Sequence, residues 1–119
     1  MKYLILFLVF LFSINIAHAY RTEVGFSELP LELMFVAMCE SNANQKARGP
    51  FGEIGVMQIL PSVWLKKSKE LGFNIYDFNG NVAFGLYLWE QYGLKPWYAS
   101  RHCWKPLLSA TYRQIALAN

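Results

Sequence analysis

The segment MKYLILFLVFLFSINIAHA at the start of the chain decides how much of the 119-residue sequence is left to fold. It has a lysine at position 2, an apolar core that runs to about Ile16, and a terminal Ala-His-Ala. A basic start, a short apolar middle and a small-x-small finish are typical of a secretory signal peptide. The alternative is an uncleaved membrane anchor, but the apolar run is shorter than the ~20 residues of a spanning helix. We therefore predict a signal peptide over residues 1–19, cleaved after Ala19, and one secreted or periplasmic domain over residues 20–119.

Charge and size narrow the kinds of partner that this domain can have. The formal net charge of +3 falls to +2 once Lys2 is removed, and no cluster of basic residues stands out. Proteins that bind nucleic acids generally carry such a cluster, so we expect no nucleic-acid partner. The mild positive excess suits a polyanionic surface such as a cell wall without requiring one. A domain of about 100 residues buries only a modest fraction of its surface, so a covalent staple would add useful stability.

Two cysteines, Cys39 and Cys103, are the candidates for that staple. In an oxidising compartment an isolated pair is most simply a disulfide, and it would close a loop of about 65 residues, worth roughly 4 kcal/mol. The alternatives are a thiol nucleophile and a metal-binding pair. His102 is the one histidine of residues 20–119, and no second cluster of cysteines or histidines accompanies it. We therefore predict no metal site, and a Cys-His catalytic pair stays open as an alternative.

The spacing of the apolar residues predicts a domain that is mainly α-helical. The first helix, LPLELMFVAMCE, follows Ser27, a residue that favours the N-cap position. The polar, glycine-containing stretch from Asn42 to Gly55 predicts a loop with room for a small hairpin. Further helices are predicted over VWLKKSKELG, which Ser62 would cap, over VAFGLYLWEQYG, over a short aromatic-rich segment from Trp97 to Trp104, and from Pro106 to Leu117.

Glu40 ends the first predicted helix on the same face as Leu33, Val36 and Ala37. Apolar surroundings disfavour the charged form of a carboxyl group, and the negative end of the helix dipole does the same. Both effects would raise the pKa of Glu40, and a carboxylic acid that stays neutral near pH 7 can act as a general acid. The alternative is a solvated residue at a helix end, and periodicity alone does not decide between the two.

Three motifs then follow one another in a fixed order. They are Glu40-Ser41-Asn42 at a helix end, Gly55-Val56-Met57-Gln58-Ile59 followed by Pro61-Ser62, and Asn81 at the start of a helix that ends at Tyr92-Gly93. In this order, from Met34 to Trp104, the sequence resembles the soluble lytic transglycosylase (SLT) domain of the lysozyme-like superfamily. The resemblance implies a small, mainly α lysozyme-like domain with a loop or short-hairpin lobe beside the catalytic helix.

The resemblance also implies a chemistry in which Glu40 is the sole catalytic acid and base. Glu40 would protonate the β-1,4 oxygen between N-acetylmuramic acid (MurNAc) and N-acetylglucosamine (GlcNAc) and leave a 1,6-anhydro-muramoyl end, without a cofactor. Gln58 would lie in the saccharide cleft, with Ser41 and Met57 as further substrate-binding residues. From the residues themselves the alternatives stay open, because Gln58 and Ser41 can both hydrogen-bond loop backbone, and Met57 is more typical of a core.

One motif departs from the family. SLT domains usually carry Ala-Tyr-Asn in their last helix, where the tyrosine helps to hold the catalytic acid, whereas this chain has Trp97-Tyr98-Ala99-Ser100. The best match places Ser100 near the tyrosine position, so we include Ser100 among the substrate-binding residues. On a helix, Tyr98 would point elsewhere.

Several aromatic residues are candidates for stacking on sugar rings, and in a small domain we expect at least three of them to pack in the core instead. The candidates are Phe51, Trp64, Trp89, Trp97 and Trp104.

Rival functions stay open beside the transglycosylase. Glu53, two residues before Gly55, could supply the second carboxylate of a hydrolytic lysozyme (muramidase), or it could be a surface charge in a polar loop. A lysozyme-like scaffold can also serve as a non-catalytic cell-wall-binding module, although the presence of Glu40 argues against this. The expected partner is the glycan strand of peptidoglycan, with a cell-envelope assembly or secretion complex as a further candidate, and we expect a monomer.

Overall fold

The computed structural model describes residues 19–119, so all of the predicted signal peptide except Ala19 lies outside the described residues. The domain is built from four α-helices, α1 (Leu31–Ser41), α2 (Pro61–Glu70), α3 (Phe78–Tyr92) and α4 (Arg101–Ala118), and from 3-10 helices over Phe26–Glu28 and Lys95–Ser100. The predicted mainly α, lysozyme-like fold is confirmed.

The lobe between α1 and α2 is a loop rather than a hairpin. Across residues 19–119 there is no strand, and this lobe contains only the isolated β-bridges Arg48–Ile54 and Ile54–Ile59. Over the same residues, no helix combines the length and the apolar character that crossing a bilayer requires.

The core lies where α1 and α3 pack against this loop. The predicted apolar face of α1 is fully enclosed, since Leu33, Val36 and Ala37 are buried. Gly85 of α3 allows the side chain of Met57 to lie against the helix, because a Cβ on Gly85 would come within 2.5 Å of Met57 Cγ. The loop segment around Met57 is therefore held directly on α3.

Asn81, in the first turn of α3 that begins at Phe78, fixes the backbone of the same loop. Its side chain is fully buried, and its Nδ2 donates hydrogen bonds to the carbonyls of Ile54 (3.0 Å) and Ile75 (2.9 Å). Its Oδ1 accepts a hydrogen bond from the backbone N–H of Met57 (2.8 Å). Burying an amide is favourable only when its hydrogen bonds are made, so this fully bonded side chain locks the loop in one conformation.

Two helix starts differ from the sequence-based prediction, and proline is the reason in both. Pro30 is the N-cap of α1, and Ser27 lies in the preceding 3-10 turn instead of capping the helix. In α2, Pro61 is the first helical residue and Leu60 is the N-cap, so Ser62 lies inside the helix. Pro61 stands at the first helical position, where its fixed φ suits the helix and its missing N–H would have no partner. In α1 the cause is the restriction that proline places on the preceding residue, which keeps Leu29 extended (φ −68°, ψ 147°) and ends the 3-10 turn before Pro30.

The prediction that the last helix begins at Pro106 was wrong, because α4 begins five residues earlier, at Arg101. A proline inside a helix removes one backbone hydrogen bond, here the one to the carbonyl of His102, and this local cost suggested a break. The tertiary packing outweighs the cost, since Trp104 and Leu108 on either side of the proline are buried and α4 lies along α1.

A disulfide between Cys39 and Cys103 joins the last turn of α1 to the first turn of α4, with Cα atoms 5.9 Å apart. No cysteine among residues 19–119 is free, and a disulfide sulfur is neither a thiolate nucleophile nor a metal ligand. The same residues contain no group of three or more His, Cys, Asp or Glu side chains that could hold a metal ion. The disulfide brings the chain segments that carry Glu40 and Ser100 together.

Candidate active site

Glu40 lies in the last turn of α1, half-buried, with its side chain facing the 3-10 helix Lys95–Ser100. Ser100 Oγ donates a hydrogen bond of 2.5 Å to Glu40 Oε1. Across residues 19–119 the only ion pair joins Arg21 to Glu28, so Glu40 has no cationic partner within ion-pair distance. The carboxyl group is therefore free to exist in its neutral form.

The surroundings of Glu40 favour that neutral form. Burial is the largest effect and raises the pKa of Glu40, the hydrogen bond from Ser100 acts in the opposite direction, and the negative charge of Glu53 raises the pKa further. The net effect is a pKa above the ordinary glutamate value, as the position of Glu40 on an apolar helix face predicted. A carboxylic acid in such surroundings can hold a proton at a pH where an exposed glutamate has lost it.

Ser100 ends the 3-10 helix, and its hydroxyl lies between two acceptors. Besides Glu40 Oε1, the carbonyl oxygen of Trp97 is 3.1 Å from Ser100 Oγ. Tyr98 does not approach the acid: its ring is 58% exposed, and the guanidinium of Arg101 lies 4.0 Å from the ring centroid. The hydroxyl that contacts the acid is thus the one at the position matched to the family's tyrosine.

Gln58 adopts a left-handed backbone conformation (φ 50°) that places its amide over the loop. The amide Nε2 donates hydrogen bonds to the carbonyls of Gly55 (2.9 Å) and Ala47 (3.3 Å), so both of its donors point to loop backbone. In the described part of the chain, Gln58 Oε1 makes no hydrogen bond. Gln58 also lines the groove described below, so it can offer a ligand an acceptor but not a donor.

Ser41 and Met57 are placed where they support the loop. Ser41 Oγ is 2.7 Å from the carbonyl of Val56 and 3.2 Å from that of Ala37, and it accepts a hydrogen bond from the N–H of Asn44 (3.2 Å). The side chain of Met57 is fully buried against α3 and has no exposed surface to offer a ligand. Both side chains therefore contact protein rather than open space.

Glu53 combines a local and a longer-range role. Its Oε2 accepts a hydrogen bond from the backbone N–H of Phe51 (3.0 Å). Its carboxylate packs on Gly49, where a Cβ would come within 2.1 Å of Glu53 Oε2 and 2.9 Å of Gln58 Oε1. Because its charge raises the pKa of Glu40, Glu53 is close enough to influence the acid without bonding to it.

A groove of about 500 Å³ begins beside these residues. It is lined by Glu53 and Gln58 together with apolar and aromatic side chains and one lysine: Ile59, Leu60, Val63, Trp64, Leu88, Tyr92, Lys95, Pro96 and Trp97. Glu40 is not part of the lining. Two residues relate Glu40 to the groove. Ser100 contacts both Glu40 and the carbonyl of the lining residue Trp97. The lining residue Glu53 raises the pKa of Glu40 through its negative charge.

Trp97 organises this site, a role that the sequence analysis did not predict, because it named Trp97 only as a candidate for sugar stacking or core packing. Its side chain is buried, and its indole N–H donates a hydrogen bond to the carbonyl of Met57 (2.8 Å), next to Gln58. Its own carbonyl oxygen lies 3.1 Å from Ser100 Oγ and accepts a hydrogen bond from the indole of Trp104 (3.0 Å). A tryptophan in an aromatic-rich segment predicts burial, but its partners 40 residues away could not be read from local spacing.

Comparison with known proteins assigns the chain to a family. A family model described as the transglycosylase SLT domain matches residues 19–94, which is more than half of the chain. The chain belongs to this family. No curated protein and no solved structure matched the chain.

Membership of the SLT family supports a lytic-transglycosylase type of activity on the glycosidic bonds of peptidoglycan, and with it the binding of peptidoglycan. The matched region contains Glu40, Gln58 and Asn81. It ends before Ser100 and Cys103, so the contacts of these two residues with α1 are findings from the structure alone.

Proposed function

We propose that this protein is a peptidoglycan lytic transglycosylase that cleaves the β-1,4 bond between MurNAc and GlcNAc, with Glu40 as its only acid and base. The observation that carries the proposal is the environment of Glu40. Its carboxyl group is half-buried, has no cationic partner among residues 19–119, has a raised pKa, and is held at one oxygen by Ser100. A general acid requires both the retained proton and the fixed position.

The reaction returns the acid to its starting state. Glu40 gives its proton to the glycosidic oxygen as the bond to the anomeric carbon of MurNAc breaks. The resulting carboxylate accepts the proton of the C6 hydroxyl of the same MurNAc, whose oxygen bonds to the anomeric carbon and closes the 1,6-anhydro ring. No water is consumed, so one carboxyl group suffices, whereas hydrolysing glycosidases use two. The hydrogen bond from Ser100 stabilises the carboxylate that forms in the first step.

The products of purified sacculi test this proposal. Mass spectrometry of the released muropeptides should show anhydro-muramoyl ends, one water lighter than the reducing ends left by a hydrolase. Products with reducing ends only would contradict the transglycosylase and favour a muramidase.

Replacement of the acid tests the assignment of Glu40. We expect Glu40→Gln to reduce the release of muropeptides by about 100-fold or more, with circular dichroism and sacculus binding unchanged. Glu70→Gln is the matched control, because Glu70 also lies at the end of a helix but is exposed, and it should retain full activity. Normal release of muropeptides by Glu40→Gln would show that another residue is the acid.

The second candidate function is a hydrolytic lysozyme, and the proximity of the Glu53 charge to Glu40 favours it. In that case Glu53 would activate a water molecule, and Glu53→Gln would abolish cleavage. Under the transglycosylase proposal the same variant keeps forming anhydro ends, because the attacking hydroxyl belongs to the substrate. The hydrogen bond from the N–H of Phe51 to Glu53 Oε2 supports a role for Glu53 in holding the loop rather than in activating water.

The compartment is part of the proposal. The basic start, apolar middle and Ala-His-Ala end of residues 1–19 support export to the periplasm or the medium. N-terminal sequencing of the protein recovered from its native host should begin at Tyr20. Recovery of the protein in the membrane fraction with Met1 intact would contradict export and cleavage. An association with an envelope or secretion complex is proposed only as a means of targeting, to be tested by cross-linking.

A further inference from the structure

The structure separates the aromatic residues that were candidates for sugar stacking. Trp97 and Trp104 are buried, and Trp64 and Trp89 are partly buried against the core. Phe51 differs from all of these, because its side chain is 81% exposed. Among the large hydrophobic residues of positions 19–119, only Leu117 has a comparable exposure, at 82%. A phenylalanine in this position makes little contribution to the core, so packing does not account for it.

Phe51 is held in a tight turn. The N–H of Gly52 donates to the carbonyl of Gly49 (3.2 Å), and the N–H of Gly49 donates to the carbonyl of Glu53 (2.9 Å). The carboxylate of Glu53 accepts the N–H of Phe51 itself (3.0 Å), and Gly52 supplies the positive φ (89°) that the turn requires. The backbone of Phe51 is thus fixed before any ligand binds, which lowers the entropy cost of binding through its ring.

The turn borders the groove through Glu53. Glu53, which holds Phe51, lines the groove and acts on Glu40 through its charge. Gly49, at the start of the turn, lies against the carboxylate of Glu53 and the amide oxygen of Gln58. The exposed ring of Phe51 therefore belongs to a turn that is held by Glu53, a residue of the groove lining.

We propose that Phe51 is a saccharide-binding residue whose ring stacks on the apolar C–H face of a sugar of the glycan strand, beside Glu53. The inference rests on the proposed function. An aromatic ring offers area and a weakly negative face at little entropic cost, and the C–H face of a pyranose is its complement. Trp64 and Tyr92 line the groove itself, and Phe51 adds an exposed aromatic ring beside Glu53. Glu53 is then a positioning residue for sugar binding, because its carboxylate holds the turn that presents Phe51.

Kinetics on soluble, peptide-free glycan strands prepared from sacculi test the proposal. Phe51→Ala should raise KM about three- to ten-fold with kcat unchanged, and Phe51→Trp should keep the KM of the unaltered protein. Leu117→Ala is the matched control, because it removes an equally exposed apolar side chain far along the chain, and it should change neither constant. An unchanged KM for Phe51→Ala, or an equal rise for Leu117→Ala, would overturn the proposal. Loss of binding to a partner protein with unchanged KM for glycan would also overturn it and point to a protein-docking residue.

A direct binding measurement separates this proposal from the proposed function. The aromatic NMR signals of Phe51 in the full Glu40→Gln protein should shift saturably when the same glycan strands are added, whether or not the unaltered protein cleaves them. Signals that stay in place while those of Trp64 shift would show that strands bind without Phe51. If the signals of Phe51 shift but the unaltered protein forms no cleavage product, the saccharide-binding proposal is supported and the proposed transglycosylase activity is contradicted.

Discussion

Removing the hydroxyl of Ser100 tests how the hydrogen bond from this residue affects the acidity and the catalytic rate of Glu40. Ser100→Ala removes the 2.5 Å hydrogen bond to Glu40 Oε1 and leaves the rest of the 3-10 helix in place. In the proposed reaction the carboxyl group becomes a carboxylate as it loses its proton, so this hydrogen bond is stronger in the transition state than in the ground state. Its loss should therefore lower kcat, although the protonated acid is retained.

The size of the effect follows from the burial of the site. A hydrogen bond to a charged group contributes about 1.5–3 kcal/mol, and because Glu40 is only half-buried, solvent screening places the loss near about 1–1.5 kcal/mol. This corresponds to a fall in kcat/KM of roughly ten-fold. Ser100→Thr, which keeps a hydroxyl, should retain most of the activity. Tyr98→Phe, which removes an exposed hydroxyl from the same 3-10 helix, should retain all of it.

The pH dependence gives a second readout that a purely structural defect would not reproduce. The hydrogen bond from Ser100 lowers the pKa of Glu40 against the raising effects of burial and of Glu53. Without it the pKa rises further, so the fall in kcat/KM on the alkaline side, where the free acid loses its proton, moves to higher pH. A pH-rate profile on soluble glycan strands measures both effects. An alkaline limb that stays in place or moves to lower pH would refute this account of Ser100.

Two further predictions concern stability. Replacing Cys39 and Cys103 together by Ala should lower the free energy of unfolding by about 2–4 kcal/mol, seen as a fall in Tm of roughly 10–25 °C; a Tm within a few degrees of the unaltered protein would contradict this. Asn81→Ala leaves the N–H of Met57 without a partner and removes one of two hydrogen bonds from the carbonyls of Ile54 and Ile75. It should cost about 2–3 kcal/mol in urea denaturation, whereas a loss near zero would mean that water replaces the amide.

The helical framework and the position of Glu40 could be predicted from the sequence, because both depend on local spacing. Leu33, Val36 and Ala37 define a face by periodicity alone, and the structure buries that face and places Glu40 at its end with a raised pKa. Pro106 shows the limit of local rules, since packing and the disulfide keep a helix intact where a single proline predicts a break.

The hydrogen-bond partners of the polar side chains could not be predicted in the same way. The hydroxyl of Ser41 contacts the carbonyl of Val56, which is 15 residues away in the sequence. The hydroxyl of Ser100 donates to Glu40, which is 60 residues away. Such pairings depend on how the loop folds back on α1, which no helical period encodes. The resemblance to a family suggested that Ser100 lies near the acid, but its contact with the carbonyl of Trp97 and the exposed turn at Phe51 required coordinates.

Trp97 has a consequence for how this protein could change over evolutionary time. The same residue forms part of the groove wall, fixes the backbone beside Gln58 and contacts the serine that holds the acid. A change of this ring therefore alters the groove wall and the loop backbone beside Gln58 together, and selection cannot adjust one without disturbing the other. The contact with Ser100 is made by the main-chain carbonyl and does not depend on the ring. Val63 and Tyr92 line the groove from separate helices, so divergence in the preferred glycan can accumulate there while the chemistry is preserved.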